Sequence, residues 1–424
     1  MKLLAYTSPS RGHLYPLLGI LAELVSRGDE CVACTLAGER GHVRAVGATG
    51  LAIDPRLERI ELEDWRARSS RGAIRSALET FGERAQLEAP DLERALAVHD
   101  PDVVLVDVNC WGAAAATEAS GRPWAIYSPY LLPLPSPGAP PYGPGLAPLR
   151  GPAGRARDAL VRRLVAGTFE RTALGGVNDA RARAGLAPLT CFSDFLTRPP
   201  LLLYLTAEGF EYARRAWPAN VRLVGPVNWA PPAAVGGAVD LDRLPDPLVL
   251  VTCSTERQAD RRLIDVALAA LPPAGFSVLA TTAAHDPQGF AAPVGTQVGG
   301  FVPHDVVLAR AACVICHGGM GITQKALAAG VPVVAVPFGR DQLETARRVT
   351  VARAGVRLAR RQLNGPRLLA AVHTAIERYD GAAQVSRAYL AAGGAEAAAE
   401  ALEALGETAG ARSGSRARRS PERR

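Results

Sequence analysis

The chain has 424 residues, of which 48% are hydrophobic and 21% charged, and its formal net charge is +7 at pH 7. This length exceeds what one ordinary hydrophobic core accommodates, so we expect two domains. Six arginines and one glutamate lie within the last 13 residues, which leaves a charge of only +2 for the rest. Because the part expected to fold shows no basic patch, the composition argues against a nucleic-acid-binding protein.

The seven cysteines are scattered, and no signal peptide precedes them, so a reducing, cytoplasmic environment is expected. Two pairs have CxxC spacing, Cys31 with Cys34 and Cys313 with Cys316. Both pairs lie in apolar strand-like runs, where residues three apart point to opposite faces, so we interpret them as buried thiols rather than zinc ligands. No apolar run reaches the roughly 18 residues that a membrane-spanning helix needs.

The first half of the chain alternates strands and helices in the manner of parallel βαβ units. His13 lies on the loop SPSRGH after the first strand, and Asp107 ends a later strand, so both are expected over the carboxyl edge of one sheet. Strands are predicted at residues 2–7, 30–36, 51–54, 103–107, 124–128, 201–205 and 221–224. Helices are predicted at residues 14–27, 39–48, 77–98, 112–120 and 153–185, with a Pro/Gly-rich loop at 129–152.

The second half repeats the same alternation. Strands or extended runs are predicted at 248–252, 276–281, 297–302 and 331–336, and helices at 262–271, 305–311, 322–329, 343–354, 365–379 and 385–405. We therefore expect an N-terminal domain over residues 1–225, a linker over 226–240 and a C-terminal domain over 241–405, whose last helices could pack back on the N-terminal domain. An Arg/Ser-rich tail over 406–424 is predicted to be disordered.

The stretch from Cys313 to Gln342 carries the most specific pattern in the chain. A short strand ends at His317, three glycines follow (Gly318, Gly319 and Gly321), and a helix begins directly after them. The unpaired N–H groups and the positive dipole end of such a helix bind phosphate or pyrophosphate. Glycine lets a ligand approach the backbone closely, because it has no Cβ.

This combination of HGGxG, a helix, a strand and the pair Asp341–Gln342 resembles the donor-binding motif of nucleotide-sugar-dependent glycosyltransferases. More narrowly it is similar to their bacterial natural-product branch, which decorates macrolides, enediynes and aromatic polyketides. The resemblance implies an α/β protein with two Rossmann-like domains facing across a cleft, the GT-B fold. It further implies an acceptor-binding first domain and a donor-binding second domain, with a nucleotide-sugar co-substrate and no metal or other cofactor.

The resemblance assigns the catalytic roles to two residues. His13 in SRGHLYP matches the base that takes the acceptor's proton, and Asp107 in VLVDVNCWG matches its acidic partner. Histidine suits this role because its pKa lies near the working pH, and a carboxylate can fix its tautomer. Helix capping is the alternative interpretation for each residue.

The donor site implied by the resemblance has four parts. His317, Gly318, Gly319, Gly321 and the backbone of Ile322 and Thr323 match the diphosphate-binding positions. Ser254 and Thr255 stand in a CST sequence where the family usually has Gly-Ser or Gly-Thr. Phe301 and Val302 match the base-binding loop, and Asp341 and Gln342 match the pair that reads the sugar hydroxyls. A core histidine, a core phenylalanine and an N-cap remain the alternatives for His317, Phe301 and Asp341.

The acceptor pocket is expected to be apolar and built from loops of the first domain. The residues predicted to line it are Trp65, Tyr130, Tyr142, Phe192 and Phe195.

Lys325 departs from the pattern of many relatives, which have a glutamate that accepts hydrogen bonds from both ribose hydroxyls. Lysine cannot accept a hydrogen bond. We therefore hypothesise a deoxyribose donor, dTDP, which lacks one of those hydroxyls. A solvated lysine on the helix surface is the alternative.

These features predict an inverting, metal-independent transferase that moves a sugar to a hydroxyl of an apolar natural product. A nucleotide-sugar epimerase on the same fold is one alternative, and it should present more acids around the sugar and no large apolar acceptor wall. A non-catalytic auxiliary protein of a partner transferase is another, which loss of His13 or of the glycine motif would favour. The acceptor, the sugar, the linkage and the oligomeric state stay open, with a homodimer as one option.

Overall fold

A computed structural model describes residues 1–67, 70–134, 136, 139–231, 239–255 and 258–417. The elements of the N-terminal domain are, in chain order, β1 (Lys2–Tyr6), α1 (Arg11–Ser26), β2 (Glu30–Thr35), α2 (Arg40–Ala45), β3 (Thr49–Ala52), α3 (Pro55–Arg59), α4 (Ser70–His99), β4 (Val103–Asp107), α5 (Trp111–Ser120), β5 (Trp124–Ser128), α6 (Gly151–Arg183), α7 (Phe192–Thr197), β6 (Leu201–Tyr204) and β7 (Val221–Leu223). The seven strands form one parallel sheet in the order β3-β2-β1-β4-β5-β6-β7.

The C-terminal domain repeats this architecture with six parallel strands. Its elements are β8 (Leu248–Thr252), α8 (Arg261–Ala270), β9 (Ser277–Thr281), β10 (Thr296–Gly299), α9 (His304–Leu308), β11 (Ala311–Cys316), α10 (Met320–Ala328), β12 (Val333–Ala335), α11 (Gln342–Val351), β13 (Gly355–Arg357), α12 (Gly365–Ile376), α13 (Tyr379–Ala391) and α14 (Gly394–Ala417). The sheet order is β10-β9-β8-β11-β12-β13. The predicted α/β fold with two Rossmann-like domains is confirmed.

The central strands of both sheets are buried on both faces, which explains their continuous apolar sequences. Strands β4 (VVLVD) and β8 (LVLVT) are fully buried along their length. The two CxxC pairs follow the alternation of a strand, because Cys31 and Cys34 contribute to different hydrophobic clusters on opposite faces. Cys313 and Cys316 are divided in the same way. All four thiols are free and buried, as predicted.

The last helix of the chain packs against the first domain. Ala398, Ala399 and Leu402 of α14 join the hydrophobic cluster formed by α1 and the outer face of the first sheet. The turn between α13 and α14 uses Gly393 and Gly394, both with left-handed φ angles of 88° and 59°. The predicted disordered tail differs from the structure, since α14 continues over 406–417; residues 418–424 lie outside the described part.

Several further elements differ from their predictions. The helix that contains His13 begins at Arg11 rather than at residue 14, so His13 is its third residue and not part of the loop. Helix α4 begins seven residues earlier than predicted, at Ser70, and the short strand β13 was not predicted. None of the helices in the described part of the chain combines the length and apolar character needed to cross a membrane.

Glu88 of α4 is a buried carboxyl group packed against the start of α5, where it accepts a hydrogen bond from the Gly112 N–H at 2.9 Å. Burial raises the pKa of Glu88 to about 8, although the Gly112 hydrogen bond and the charge of Arg84 oppose the shift. A carboxyl group with this pKa is protonated in the folded protein at neutral pH. It therefore stabilises the fold at low pH and loses that contribution as the pH rises towards 8.

We expect this linkage to be visible in the pH dependence of stability. The unfolded-state pKa of a glutamate is about 4.5, and Glu88→Gln removes the titrating group. The free energy of unfolding of wild type relative to Glu88→Gln should fall by about 1.4 kcal/mol per pH unit between about pH 5.5 and 7.5. Chemical denaturation of both proteins across this range measures the difference, and parallel pH profiles would contradict the prediction.

Candidate active site

The first half of the site lies at the topological switch point of the N-terminal sheet. Strands β1 and β4 are neighbours, and the chain leaves them towards opposite edges of the sheet. The carboxyl ends of two such strands leave a crevice, where open α/β sheets bind ligands. His13 follows β1 in the first turn of α1, and Asp107 is the last residue of β4.

The two side chains meet at this crevice. The Nδ1 atom of His13 lies 2.7 Å from Oδ2 of Asp107. The His13 side chain is 17% exposed, whereas Asp107 is fully buried. The ring of Tyr130 lies beside His13, with 5.6 Å between the ring centres. The pairing that was expected from two strand ends is therefore present in the structure.

The Asp107 carboxylate is held by further hydrogen bonds. Its Oδ2 accepts from the hydroxyl of Ser8 at 3.0 Å and from that of Tyr127 at 3.3 Å, and its Oδ1 accepts from the Asn109 N–H at 2.9 Å. Burial alone would raise the pKa of Asp107, but the charge and hydrogen bond of His13, with the backbone N–H groups of Asn109 and Ser8, outweigh it and lower the pKa. The carboxylate consequently stays ionised beside the imidazole ring.

Ser8 and Tyr127 were not singled out from the sequence. Tyr127 lies near the end of β5, beside β4 in the sheet, and Ser8 lies in the loop that follows β1. The rule that located His13 and Asp107 at the carboxyl edge would have located both.

The second half of the site repeats the arrangement in the C-terminal sheet. Strands β8 and β11 are its central neighbours, and the chain again leaves them towards opposite edges. Ser254 and Thr255 follow β8, while His317 and the glycine-rich turn follow β11. Gly318 has a φ of 81°, and Gly319 is the N-cap of α10. This helix start presents the N–H groups of its first turn to the space above the sheet.

The glycines of this turn have distinct steric roles. A Cβ at Gly319 would lie 2.2 Å from Nε2 of His317, so the imidazole ring packs directly against this glycine. A Cβ at Gly321 would meet no atom within 4 Å, and Gly321 is exposed. Thus Gly319 is required by the protein itself, whereas Gly321 leaves open space in front of the helix.

His317 is buried and electrically neutral. Burial lowers its pKa to about 4; the charge of Asp260 opposes this decrease, and that of Arg340 adds to it. Its Nδ1 atom is buried and has no hydrogen-bond partner among the described residues. A buried ring nitrogen without a partner is unusual in a native protein.

Some predicted donor residues are already bonded within the protein. The Thr323 N–H donates to the Gly319 carbonyl, so unlike that of Ile322 it belongs to the helix and does not point to a ligand. The amide of Gln342 accepts from the N–H groups of Phe338 and Gly339 and donates to Gln258. These contacts differ from the prediction that Gln342 faces the sugar.

The predicted base-binding loop lies at the far end of this half. Phe301 is 58% exposed, whereas Val302 is buried. Lys325 on α10 is partly buried and donates a hydrogen bond to the carbonyl of Trp229 at 3.4 Å, so it is not simply solvated. Burial, together with the charge of Lys325, lowers the pKa of His304 to about 4.

One cavity of about 1310 Å³ joins the two halves. Predicted residues on its wall are His13, Trp65, Tyr130, Tyr142 and Phe192 from the first domain and Thr255, Gly321 and Asp341 from the second. Burial raises the pKa of Asp341, and a hydrogen bond from its own backbone N–H and the charges of Arg340 and His13 oppose the increase. Phe195 does not line this cavity but packs behind Phe192 in the core, with 5.6 Å between the rings. This corrects its predicted place in the acceptor wall.

Contacts between the domains close one side of the cavity, and no sequence pattern pointed to them. Arg340, next to Asp341, forms a bidentate ion pair with Asp64, which precedes Trp65. Its Nη2 and Nε atoms lie 2.7 and 2.8 Å from the two carboxylate oxygens. Glu344 of α11 accepts from the N–H groups of Gly143 and Gly145, both at 2.8 Å. Arg340 and Glu344 of the second domain are therefore hydrogen-bonded to two segments of the predicted acceptor wall.

Among the described residues, one group of side chains has the composition and spacing of a metal site. Potential ligand atoms of Cys253, Asp260 and His285 lie within 4.8 Å of one another. Asp260 is already bonded to the N–H of Ser254 at 2.7 Å and to His285 at 2.8 Å. Burial raises the pKa of Cys253, and its Sγ donates to the Asp260 carbonyl at 3.6 Å, so Cys253 is a protonated thiol in this structure.

Comparison with known proteins agrees with this architecture. Residues 274–405 match the family described as the C-terminal domain of erythromycin biosynthesis protein CIII-like proteins. A 4'-demethylrebeccamycin synthase of Lentzea aerocolonigenes is 30% identical over 394 residues, which cover 89% of this chain and 92% of the relative. A PGL/p-HBAD biosynthesis glycosyltransferase of Mycobacterium tuberculosis is 35% identical over 158 residues, 37% of this chain and 36% of the relative.

Solved structures share the whole fold. The kitacinnamycin glycotransferase superposes with a TM-score of 0.71 at 21% identity, covering 95% of this chain and 98% of the other. The spinosyn rhamnosyltransferase SpnG gives a TM-score of 0.69 at 18% identity, covering 95% and 100%.

Fold and cavity thus define a two-domain α/β protein of the GT-B class, with a site between the domains. The chain belongs to the nucleotide-sugar-dependent GT-B glycosyltransferases of bacterial natural-product biosynthesis. The family predicted from the glycine motif is confirmed.

Proposed function

We propose that this glycosyltransferase is inverting and metal-independent, and that it moves a deoxysugar from a dTDP-linked donor to a hydroxyl of an apolar acceptor. The observation that carries the proposal is that His13, bonded to the buried Asp107, lies on the wall of the cavity that Gly321 and Asp341 also line. A base and the donor-side loops therefore face one space, large enough for a substantial acceptor.

The chemistry of the base follows from the hydrogen bond. Asp107 accepts from the Nδ1–H of His13, which leaves Nε2 as the nitrogen that carries the lone pair. As the acceptor oxygen bonds to the anomeric carbon, its proton passes to Nε2 and the bond to the diphosphate breaks on the opposite face. Asp107 stabilises the imidazolium that forms.

The departing diphosphate is stabilised at the start of α10. The first-turn N–H groups of the helix, together with its dipole, favour an anion at this point. The open space at Gly321 suits the close approach of phosphate oxygens to the backbone. The buried Nδ1 of His317, which has no partner within the described ranges of the chain, suits a hydrogen bond to one of them. These donors supply charge stabilisation without a divalent ion.

Two observations favour dTDP as the nucleotide. Lys325 cannot accept hydrogen bonds from a ribose, and it is directed to the Trp229 carbonyl. SpnG has been solved with thymidine diphosphate, and the glycosyltransferase VinC with dTDP. SpnG has also been solved with the spinosyn aglycone, which supports an acceptor site in the same fold.

The cavity favours a transferase over the two alternatives. Aromatic side chains of the first domain line it, as an acceptor wall requires and an epimerase does not. An auxiliary protein would not need the formed His13–Asp107 pair.

Nucleotide binding tests the proposal. We expect dTDP to raise the melting temperature of wild type, and UDP and ADP to raise it less, because a ligand that binds only the folded state stabilises by linkage, about 2.7 kcal/mol at a hundredfold excess over Kd. Gly321→Leu should abolish the shift, since the new side chain occupies the open space in front of α10 without meeting the protein.

Gly175→Leu is the matched control, because Gly175 is another exposed helical glycine where an added Cβ would meet no atom within 4 Å, and it lies on α6 of the other domain. It should retain the full dTDP shift. An absence of any nucleotide shift would refute the proposed donor site, and much tighter binding of UDP than of dTDP would refute the dTDP assignment.

A further inference from the structure

One corner of the cavity is polar, although aromatic and aliphatic side chains make up much of the wall. It is formed by Leu134, Ser136 and Arg214, all of which line the cavity. Arg214 donates from Nη1 to the Leu134 carbonyl at 2.8 Å, and its guanidinium lies 4.3 Å from the ring centre of Trp217. Ser136 is only 8% exposed.

Two buried atoms of this corner lack a hydrogen-bond partner among the described residues, which do not include 135, 137 and 138. They are Nε of Arg214 and Oγ of Ser136. Buried polar atoms are nearly always bonded in native proteins, so each such atom indicates a missing partner. Nε belongs to the edge of the guanidinium that pairs side-on with a carboxylate.

The charges around this corner also point to an anion. Arg348 is bonded to Glu211 at 2.8 Å and to Glu344 at 2.9 Å, which uses both nearby carboxylates. Arg347 and Arg357 both donate to the Gly145 carbonyl. This carbonyl lies beside the N–H groups of Gly143 and Gly145, which donate to Glu344.

With Arg214, this cluster contains four guanidinium groups and two carboxylates. The charge of Asp341 also acts on this region. If Asp341 is counted as a third carboxylate, the four guanidinium groups still leave one positive charge in excess. Burial lowers the pKa of Arg214, and the charge of Glu211 opposes the decrease. Arg214 is thus a cation on the cavity wall without an ion pair in the described part of the chain.

Elsewhere the cavity wall carries charges of both signs, and one of its acids, Asp64, is paired with Arg340. Glu58, Glu61 and Asp64 line it along α3 and the following loop, and Glu170 lines it from α6. A carboxylate bound in this cavity would therefore favour the Arg214 corner over the acidic part of the wall.

We propose that the acceptor carries a carboxylate, which binds to Arg214 and Ser136 while its hydroxyl reaches His13 and its apolar body packs against the aromatic wall. The inference rests on the proposed glycosyl transfer, since this corner belongs to the cavity that holds the acceptor. Arg214 supplies the charge and its Nε–H, and Ser136 supplies a hydroxyl donor. Binding requires the two side chains to rotate, because Nε of Arg214 and Oγ of Ser136 are buried in this structure.

Paired ligands test this proposal. We would titrate the full chain, saturated with dTDP, with a hydroxybiphenylcarboxylic acid and with its methyl ester, using isothermal titration calorimetry. Wild type should bind the acid at least about tenfold more tightly, because charge-assisted hydrogen bonds are the strong ones. Arg214→Met keeps the apolar stem and should abolish the preference. Ser136→Ala should weaken binding of the acid and leave that of the ester unchanged.

Arg215→Met is the matched control, because Arg215 is an exposed neighbour outside the cavity wall, and it should keep the full preference. Arg162→Met removes another arginine of the wall and should also keep it. If Arg214→Met does not fold, Ser136→Ala and Arg214→Lys, which retains the charge but not the side-on edge, decide the result.

Equal binding of acid and ester by wild type, binding of neither, or a preference that survives Arg214→Met would overturn the proposal. So would a preference that is lost in Arg162→Met instead. Titration of dTDP alone distinguishes failure of the carboxylate site from failure of the proposed function. If dTDP binds without a preference for the acid, only the carboxylate site is rejected, whereas no binding of dTDP rejects the donor site itself.

Discussion

Replacing His13 with alanine will lower kcat for sugar transfer by about 10²–10⁴-fold, the usual contribution of a general base. The reason is the 2.7 Å contact that orients the ring, with Nδ1 towards Asp107 and Nε2 available to the acceptor. Binding of dTDP should be unchanged in His13→Ala, because His13 belongs to the acceptor side. Initial rates with a dTDP-sugar and a hydroxylated aromatic acceptor, together with a dTDP melting shift, measure both quantities.

Asp107→Asn should produce a decrease of similar size. The carboxylate accepts hydrogen bonds from Ser8, Asn109 and His13, and an amide must turn its NH₂ group towards one of these donors. The imidazole then loses the partner that fixes its tautomer and stabilises its positive charge.

His42 provides the matched control for this experiment. Its Nδ1 lies 2.8 Å from Glu39, so it is also a histidine–carboxylate pair of the first domain, but it is not on the cavity wall. His42→Ala should retain wild-type kcat. Full activity of His13→Ala would exclude His13 as the base, and equal losses in His13→Ala and His42→Ala would indicate a structural effect instead.

The sequence rules worked where a site residue is fixed by the end of a strand. Parallel strands have a common carboxyl edge, and this edge brought His13 towards Asp107 and the Gly318–Gly321 turn towards the cleft. The family could be predicted because the glycine motif is specific, and its turn requires glycine at Gly318, where φ is positive, and at Gly319, where a Cβ would meet the His317 ring. The strand ends and the glycine turn both depend on local chain geometry, and local geometry can be predicted from a pattern of neighbouring residues.

The sequence rules failed where tertiary contacts decide which way a side chain points. The amide of Gln342 is used by the N–H groups of Phe338 and Gly339, and Phe195 turns into the core behind Phe192. Neither outcome leaves a local signature. The same holds for the ion pair between Arg340 and Asp64, residues that are 276 positions apart in the chain.

The largest effect on stability is expected at Arg348, in the ion-pair network between the domains. Its guanidinium bonds Glu211 of the first domain and Glu344 of its own helix, and all three side chains are buried. Removing one member of a buried ion pair leaves an uncompensated charge, which costs about 3–5 kcal/mol. We therefore expect Arg348→Ala to lower the free energy of unfolding by about this amount, because it strands two carboxylates.

Arg347→Ala is the matched control for Arg348→Ala. Arg347 is the preceding residue, and the described part of the chain shows it bonded to the Gly145 carbonyl but in no ion pair. Its loss should cost only about 0.5–1.5 kcal/mol, the usual value of one hydrogen bond. Guanidinium denaturation of the three proteins measures the difference, and equal destabilisation by the two substitutions would contradict the prediction.

A combined variant distinguishes two causes of the destabilisation by Arg348→Ala, uncompensated charge and lost packing. Arg348→Ala with Glu211→Gln and Glu344→Gln removes the charges together, and glutamine still offers an oxygen to the N–H groups of Gly143 and Gly145. If uncompensated charge is the cause, this variant should be more stable than Arg348→Ala, because replacing a whole buried ionic network is far less costly than breaking it. If it is no more stable, lost packing of the Arg348 side chain against Tyr212, 4.1 Å from its ring centre, is the dominant effect instead.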